Sequence, residues 1–143
     1  MTDRNARLTG FGRIEDLAPH LRAVLRITTA LLFLEHGLVK VIGFPPGAAP
    51  GPQPLLSYFG IAGVIEIAGS VLLVLGLFTR PVAFLLAGEM AVGYFTVHAP
   101  LGFFPAINAG DAAILFCFVF LYLAAAGPGS WSLDEMRAGR AGH

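Results

Sequence analysis

Charge is scarce in this chain. Asp, Glu, Lys and Arg make up 13% of its 143 residues, about half the share expected of a soluble domain. The nine basic and nine acidic residues cancel, and there is no basic run, which excludes nucleic acid as a partner class. Cysteine is nearly absent. Cys117 stands alone, so an internal disulfide, a CxxC redox pair and a cysteine-rich metal site are all excluded. Catalytic patterns are missing too: there is no Ser-His-Asp arrangement, no phosphate-cradling glycine loop and no CxxCH haem site. The histidines and carboxylates include no Glu-x-x-His motif of the di-iron type, and no metal is expected. The first 22 residues carry Arg4, Arg7, Arg13 and Arg22 but no uninterrupted apolar core, so a cleaved signal is not expected and the first apolar segment is retained.

What the chain has in abundance is apolar surface. Hydrophobic residues account for 56%, and the mean hydropathy is +0.75. One small soluble core cannot hide so much apolar surface, whereas a bilayer accepts it on the outside of a helix bundle. Four apolar runs stand out, at 23–44, 58–78, 81–99 and 107–126. Each has roughly the 20 residues a helix needs to cross a bilayer. Pro45 to Pro54, with five prolines, cannot be helical and makes a long first loop. Thr79-Arg80-Pro81 makes a tight second connection, with Pro81 suited to the first turn of the third helix. Pro100 to Pro105 makes the third loop, and Gly127-Pro128-Gly129 ends the fourth helix. The expected fold is all-α: an antiparallel bundle of four transmembrane helices in a multi-pass protein.

The basic residues orient it. Arg4, Arg7, Arg13, Arg22 and Arg26 precede or open the first span, Arg80 lies in the second connection, and Arg137 and Arg140 lie in the tail. The first and third loops hold no Lys or Arg. The positive-inside rule places both termini in the cytoplasm and loops one and three outside. The expected organisation is a cytoplasmic segment at 1–22, a membrane domain at 23–126 and a cytoplasmic tail at 127–143. Residues 14–22 read equally well as a short interfacial helix or as a plain lead-in. Arg26 is expected to snorkel to the inner interface.

The ionisable residues inside the spans are the informative ones: Glu35, His36, Lys40, Glu66, Glu89 and Asp111, with His98 at a rim. A charge at the bilayer centre costs about 2.5–3.5 kcal/mol, so such residues face inward, pair or meet water. Every helix carries them in its outer half except Glu89, which is near the middle. That convergence implies one polar pocket between the helices, opening outward. His36 and Lys40 share a helical face at i, i+4. Glu66 shares a face with Gly63, Gly69 and Ser70, small residues that admit a neighbouring helix. Asp111 also fits a helix N-terminal carboxylate with Asn108 as its cap. His98 follows Glu89 by nine residues, half a turn round a regular helix, so both line one pocket only if the helix end bends. Each of these groups also has a purely structural reading, such as a buried ion pair of Glu66 with Lys40 or His36. The phenylalanines read mostly as lipid-facing filler, and Gly60, Gly63 and Gly88 as candidate dimer contacts.

Several segments resemble the DoxX family of small bacterial membrane proteins. They are Arg26 to Phe44 with Glu35-His36-Gly37-Leu38-Val39-Lys40, and Gly60 to Gly76 continuing into Leu77-Phe78-Thr79-Arg80. Asn108-Ala109-Gly110-Asp111 is similar to the family's Asn-Gly-Gly-Glu stretch, with Ala for Gly and Asp for Glu. Gly127-Pro128-Gly129-Ser130-Trp131-Ser132-Leu133-Asp134 is similar to its closing motif. The resemblance implies a four-helix fold in the bacterial inner membrane, and family polar positions at His36, Lys40, Glu66 and Asp111. Glu35, Glu89 and His98 rest on the physical argument alone. Relatives of this kind are associated with quinone-linked oxidation, membrane oxidoreductase complexes and accessory roles.

Three functions are therefore expected to compete. The first is a redox-linked subunit that binds a quinone or another amphipathic molecule, with a partner oxidoreductase subunit carrying the electrons. The second is a non-enzymatic accessory or assembly subunit. The third is a small proton-coupled transporter, for which no inverted repeat is visible.

Overall fold

The computed structural model describes residues 8–141; Arg4 and Arg7 lie outside the described residues. Among these residues every regular element is a helix, without strands. Helix α1 runs Leu8–Ile42, α2 Tyr58–Leu75, α3 Thr79–Gly93, α4 Pro105–Asn108, α5 Asp111–Ala126 and α6 Leu133–Ala141. Three helices are long and apolar enough to cross a membrane, and α5 is a shorter apolar one. Residues 14–22 are neither a separate interfacial helix nor an irregular lead-in, because α1 is continuous through them. At 35 residues it is about 52 Å long, well beyond the roughly 30 Å hydrocarbon layer.

The bundle is built from two close pairs, α1 with α2 and α3 with α5, joined more loosely through α2 and α3. Glycine sets the first pair. A Cβ on Gly37 would stand 2.8 Å from the Gly63 carbonyl oxygen, and one on Gly63 would stand 2.8 Å from the Lys40 Cβ. Gly60 is packed against Pro54 and Leu55 in the same way. Gly60 and Gly63 are thus consumed within the chain and are not dimer contacts; Gly88 alone of the three faces open space. The core between the pairs holds Ala30, Phe33, Leu73, Ala83, Leu86, Phe120 and Leu123, with Cys117 half-buried against it. Phe33 and Phe120 are fully buried, while most of the other phenylalanines are exposed on the outside of the bundle.

The ends of the spans depart from regular helices. Gly76 closes α2 in the left-handed conformation, and the connection to α3 is Gly76 to Phe78, one turn earlier than the Thr79-Arg80-Pro81 expectation. The third span ends in a π turn over Tyr94–His98, closed by the Ala99 N–H on the Tyr94 carbonyl, and then a 3₁₀ turn over Ala99–Leu101. The fourth span is broken. The single turn α4 stops at Ala109, which is left-handed at φ 57°, and α5 restarts at Asp111. Its 16 residues span only about 24 Å.

At the opposite end, the tail folds back onto the helices. Arg26 does not snorkel: it is fully buried. Its guanidinium donates to the carbonyls of Leu73 and Val74 at the end of α2, and to Pro128, Ser130 and Trp131 in the tail. A guanidinium has five N–H donors, enough for these five acceptors. Asp134 completes the closure by accepting from the backbone N–H of Phe78 at 2.9 Å and of Thr79 at 2.8 Å. It caps α3, whose own N-cap residue Phe78 supplies no side-chain bond. Arg22 and Arg80 donate to the last carbonyls of α5, at Ala126, Ala124 and Ala125, where positive charge meets the negative end of the helix.

Candidate functional site

The end of the bundle opposite the folded-back tail encloses a cavity of about 540 Å³. His36 and Lys40 reach it from α1, Glu66 from α2, Glu89 from α3 and His98 from the π turn. Five of the eight sequence-predicted site residues therefore meet in one place. Phe33, Tyr58, Phe59, Met90, Val97 and Phe116 make its apolar walls, and Ala49 and Pro50 of the first loop lie across it. That loop is held by the Gln53 N–H, which donates to the Lys40 carbonyl at 2.7 Å.

Glu66 is the centre of the site. It is 1% exposed and sits where Gly63 and Gly69 let α1 and the Leu86 side chain of α3 come close. Its Oε1 accepts from the Lys40 ammonium, while its Oε2 is buried without a partner. Glu89 contributes two further buried carboxyl oxygens that meet no donor, and Ser70, one turn further in on α2, keeps its hydroxyl free. A buried unpaired polar atom is costly. Three such atoms, Glu66 Oε2 and both Glu89 oxygens, belong to residues that line this cavity.

Both histidines are held in a defined state. His36 Nδ1 lies 2.9 Å from the Leu32 carbonyl oxygen, and His98 Nδ1 lies 2.9 Å from that of Asn108. A carbonyl can only accept, so each Nδ1 carries a hydrogen, and the tautomer this selects in a neutral ring has Nε2 as the acceptor. The His36 ring is fixed further by Phe116, edge-on with centroids 5.5 Å apart, and by stacking on Phe33. His98 stacks on Tyr94. The π turn explains how His98 joins Glu89. An i→i+5 turn takes extra backbone per revolution, which shifts the helix phase away from the half-turn offset of a regular helix.

Three predicted residues are not part of the cavity lining. Glu35 is exposed on the outer surface of α1. Asp111 is exposed in the first turn of α5. Asn108 is buried but spends its side chain on the loop, accepting from the Gly110 N–H and donating to the Gly102 carbonyl, each at 2.8 Å. It shapes the break between α4 and α5 and is not the α5 cap; Gly110 occupies that position. Among the described residues no group of three or more His, Cys, Asp or Glu is placed to hold a metal ion. The aromatic walls were missed in the sequence, although Phe33 precedes His36 by one helical turn and so shares its face.

The sequence matches the DoxX family over residues 21–99. The chain belongs to the DoxX family. The matched stretch supplies every cavity-lining ionisable residue, from His36 to His98. This DoxX protein is 44% identical to an uncharacterized protein of Haemophilus influenzae, over 85% of its own length and 94% of the relative's. It is 33% identical to the Inner membrane protein YphA of Escherichia coli, over 82% of its length and 90% of that protein's. It is 28% identical to the uncharacterized membrane protein Rv3486 of Mycobacterium tuberculosis, over 82% and 81% of the two lengths. No solved structure matches it. With its several apolar helices, this DoxX protein is a multi-pass protein of the bacterial inner membrane.

Proposed function

We propose that the cavity binds the polar head of a quinone or quinol, and that the protein is a redox-linked subunit of the inner membrane. The observation that carries this reading is Glu66 Oε2, a buried acceptor without a donor, in an aromatic-walled cavity that also contains His36 with a free Nε2. A quinol hydroxyl is a donor of the right kind for either atom, and flat aromatic walls suit its ring. Oxidation of a quinol releases two protons and two electrons. Glu66 and His36 are placed to take up protons. The electrons pass to an acceptor on a partner subunit, since nothing in this chain is an electron carrier. Lys40, paired with Oε1, holds the carboxylate in position. The cavity end faces the outside and the arginine-rich end the cytoplasm, on the strength of the positive-inside rule.

Protein extracted gently into lipid nanodiscs is expected to carry, or saturably bind, a quinone detectable by mass spectrometry after organic extraction. Glu66→Gln is expected to weaken that binding by about tenfold, the equivalent of one charge-assisted hydrogen bond. Wild-type protein that neither carries nor binds quinone overturns the reading.

A second reading, membership in a larger complex, is favoured by Glu35. It is an exposed carboxylate roughly 10 Å inside the outer end of α1, without an ion-pair partner among the described residues. A cationic side chain from another subunit, or from a second copy, would relieve the cost of a carboxylate in lipid. Glu35→Leu is expected to reduce co-purification of such a partner; recovery of the same partners by both forms counts against it.

A further inference from the structure

A second cavity of about 750 Å³ lies between α2 and α3. It is walled by Ile65, Phe84, Leu85 and Val92, and Gly88 forms its floor. These helices are joined by a three-residue connection, yet they pack less closely than either close pair. Gly88 is one reason, because nothing lies within 4 Å of where its Cβ would be. A groove of this shape on a membrane protein faces the acyl chains directly.

The groove and the polar cavity share a wall. Tyr58, Ala62 and Glu89 line both. Glu89 is the only ionisable side chain in the groove besides the Tyr58 phenol, and both of its oxygens lack donors. The Tyr58 hydroxyl also meets the Thr96 hydroxyl at 3.1 Å, linking α2 to the π turn across the outer end of the groove. Tyr58, Ala62 and Glu89 thus stand between the lipid-facing groove and the cavity that holds Glu66 and His36. The groove side of this wall is apolar and the cavity side carries the ionisable residues.

We propose that this groove is the seat of the hydrocarbon tail of the molecule whose polar head occupies the cavity, and its lateral way in from the bilayer. The proposal rests on the quinone reading above and adds to it that the ligand must be long-tailed. A head group alone fills only the inner volume, whereas a tail lying along Phe84, Leu85 and Val92 covers the apolar groove. Gly88 keeps the slot open for it, and Ala62, the smallest side chain in the shared wall, marks the point where head and tail join.

Two probes test this in nanodiscs: a benzoquinone with a decyl tail ending in a diazirine, and a tail-less benzoquinone. Irradiation of wild-type protein is expected to label the peptide containing Phe84, Leu85 and Val92, with excess long-tailed quinone suppressing the label. Gly88→Leu is expected to remove that label and to weaken the long-tailed probe by about tenfold, leaving the tail-less probe within about twofold. Saturable head binding with the tail label on α1 or α5 overturns the groove assignment and leaves the quinone reading standing. So does a Gly88→Leu protein that retains the label. Absence of saturable binding by either probe sinks the quinone reading and this one with it. The wild-type labelling decides the matter even if Gly88→Leu does not fold.

Discussion

At the scale of single residues, Lys40 and Glu66 show how a buried charge is tolerated. Glu66 is buried and Lys40 is 16% exposed, so their pairing is shielded from both water and lipid. Removing one partner strands the other, which costs about 3–5 kcal/mol at buried pairs, whereas replacing both by apolar or neutral groups is often close to neutral. Lys40→Met is therefore expected to lower thermal stability in nanodiscs substantially, and the Lys40→Met, Glu66→Gln double variant to recover most of the loss. The double variant separates structure from function: its stability returns, but its quinone binding does not. Full recovery of binding would make the pair a packing device only. A second residue carries backbone strain. Ala109 sits at φ 57°, where an L side chain costs about 1–2 kcal/mol, and it stands where the family resemblance has glycine. Ala109→Gly is expected to raise stability by about 1 kcal/mol, read as an upward shift in thermal midpoint; an unchanged or lower midpoint would show the strain to be relieved elsewhere.

At the scale of elements, the helix ends do most of the specifying. Arg26 joins α1, the end of α2 and the tail through five carbonyls. Lysine keeps the charge but brings only three donors and no planar fork. Arg26→Lys leaves at least two carbonyls unmatched and is expected to cost about 3 kcal/mol, seen as loss of folded protein on extraction. Near-wild-type stability would mean that charge alone suffices. Asp134 acts on α3 from another element. Its partial burial opposes ionisation, but the Thr79 and Phe78 N–H groups, together with the Arg137 charge, hold its carboxyl below the usual aspartate range. A depressed folded value means that the carboxylate contributes stability above the unfolded value of about 3.9, and that this is lost as pH falls through the lower folded value. Asp134→Asn is expected to cost about 1 kcal/mol at neutral pH and to flatten the stability profile below about pH 4. An acid limb of unchanged steepness would assign that limb to other carboxylates.

At the scale of the whole molecule, the two ends of the bundle divide the work. One is closed by Arg22, Arg26, Arg80 and Asp134 with the tail folded onto them. The other leaves a cavity beneath the proline-rich loop and the broken fourth helix. The positive-inside rule predicts the orientation: reporter fusions at the C-terminus are expected to behave as cytoplasmic, and a cysteine introduced at Ala48 in the first loop to react with a membrane-impermeant thiol reagent from outside. A C-terminal reporter that behaves as external, with the Ala48 cysteine shielded from the impermeant reagent, would invert the assignment and place the cavity inside. The opposite ends also differ in what they can tolerate. The closed end pairs its arginines with backbone carbonyls and Asp134 with backbone N–H groups. The open end keeps carboxyl oxygens unmatched, which only a ligand, water or a proton can satisfy.

Much of this was written in the amino-acid order. Apolar run length, proline-rich breaks and arginine placement specify a helical membrane bundle and its connections, because the bilayer punishes unpaired backbone and stray charge within a single segment. The convergence of His36, Lys40, Glu66 and Glu89 followed from the same rule. The exceptions all depend on contacts between distant segments. Only the packed structure decided that Arg26 is a buried clamp, because its five acceptors lie some 50 to 100 residues away in sequence. Asp111 and Glu35 fell outside the cavity because a turn at Ala109 and the face of α1 taken up by α2 direct them outward. His98 came in through a π turn, which leaves no mark in hydrophobic periodicity. The slot at Gly88 is decided by the looser packing of α2 against α3. Local cost fixes which segments are helices; the mutual fit of those helices fixes which of their polar groups meet.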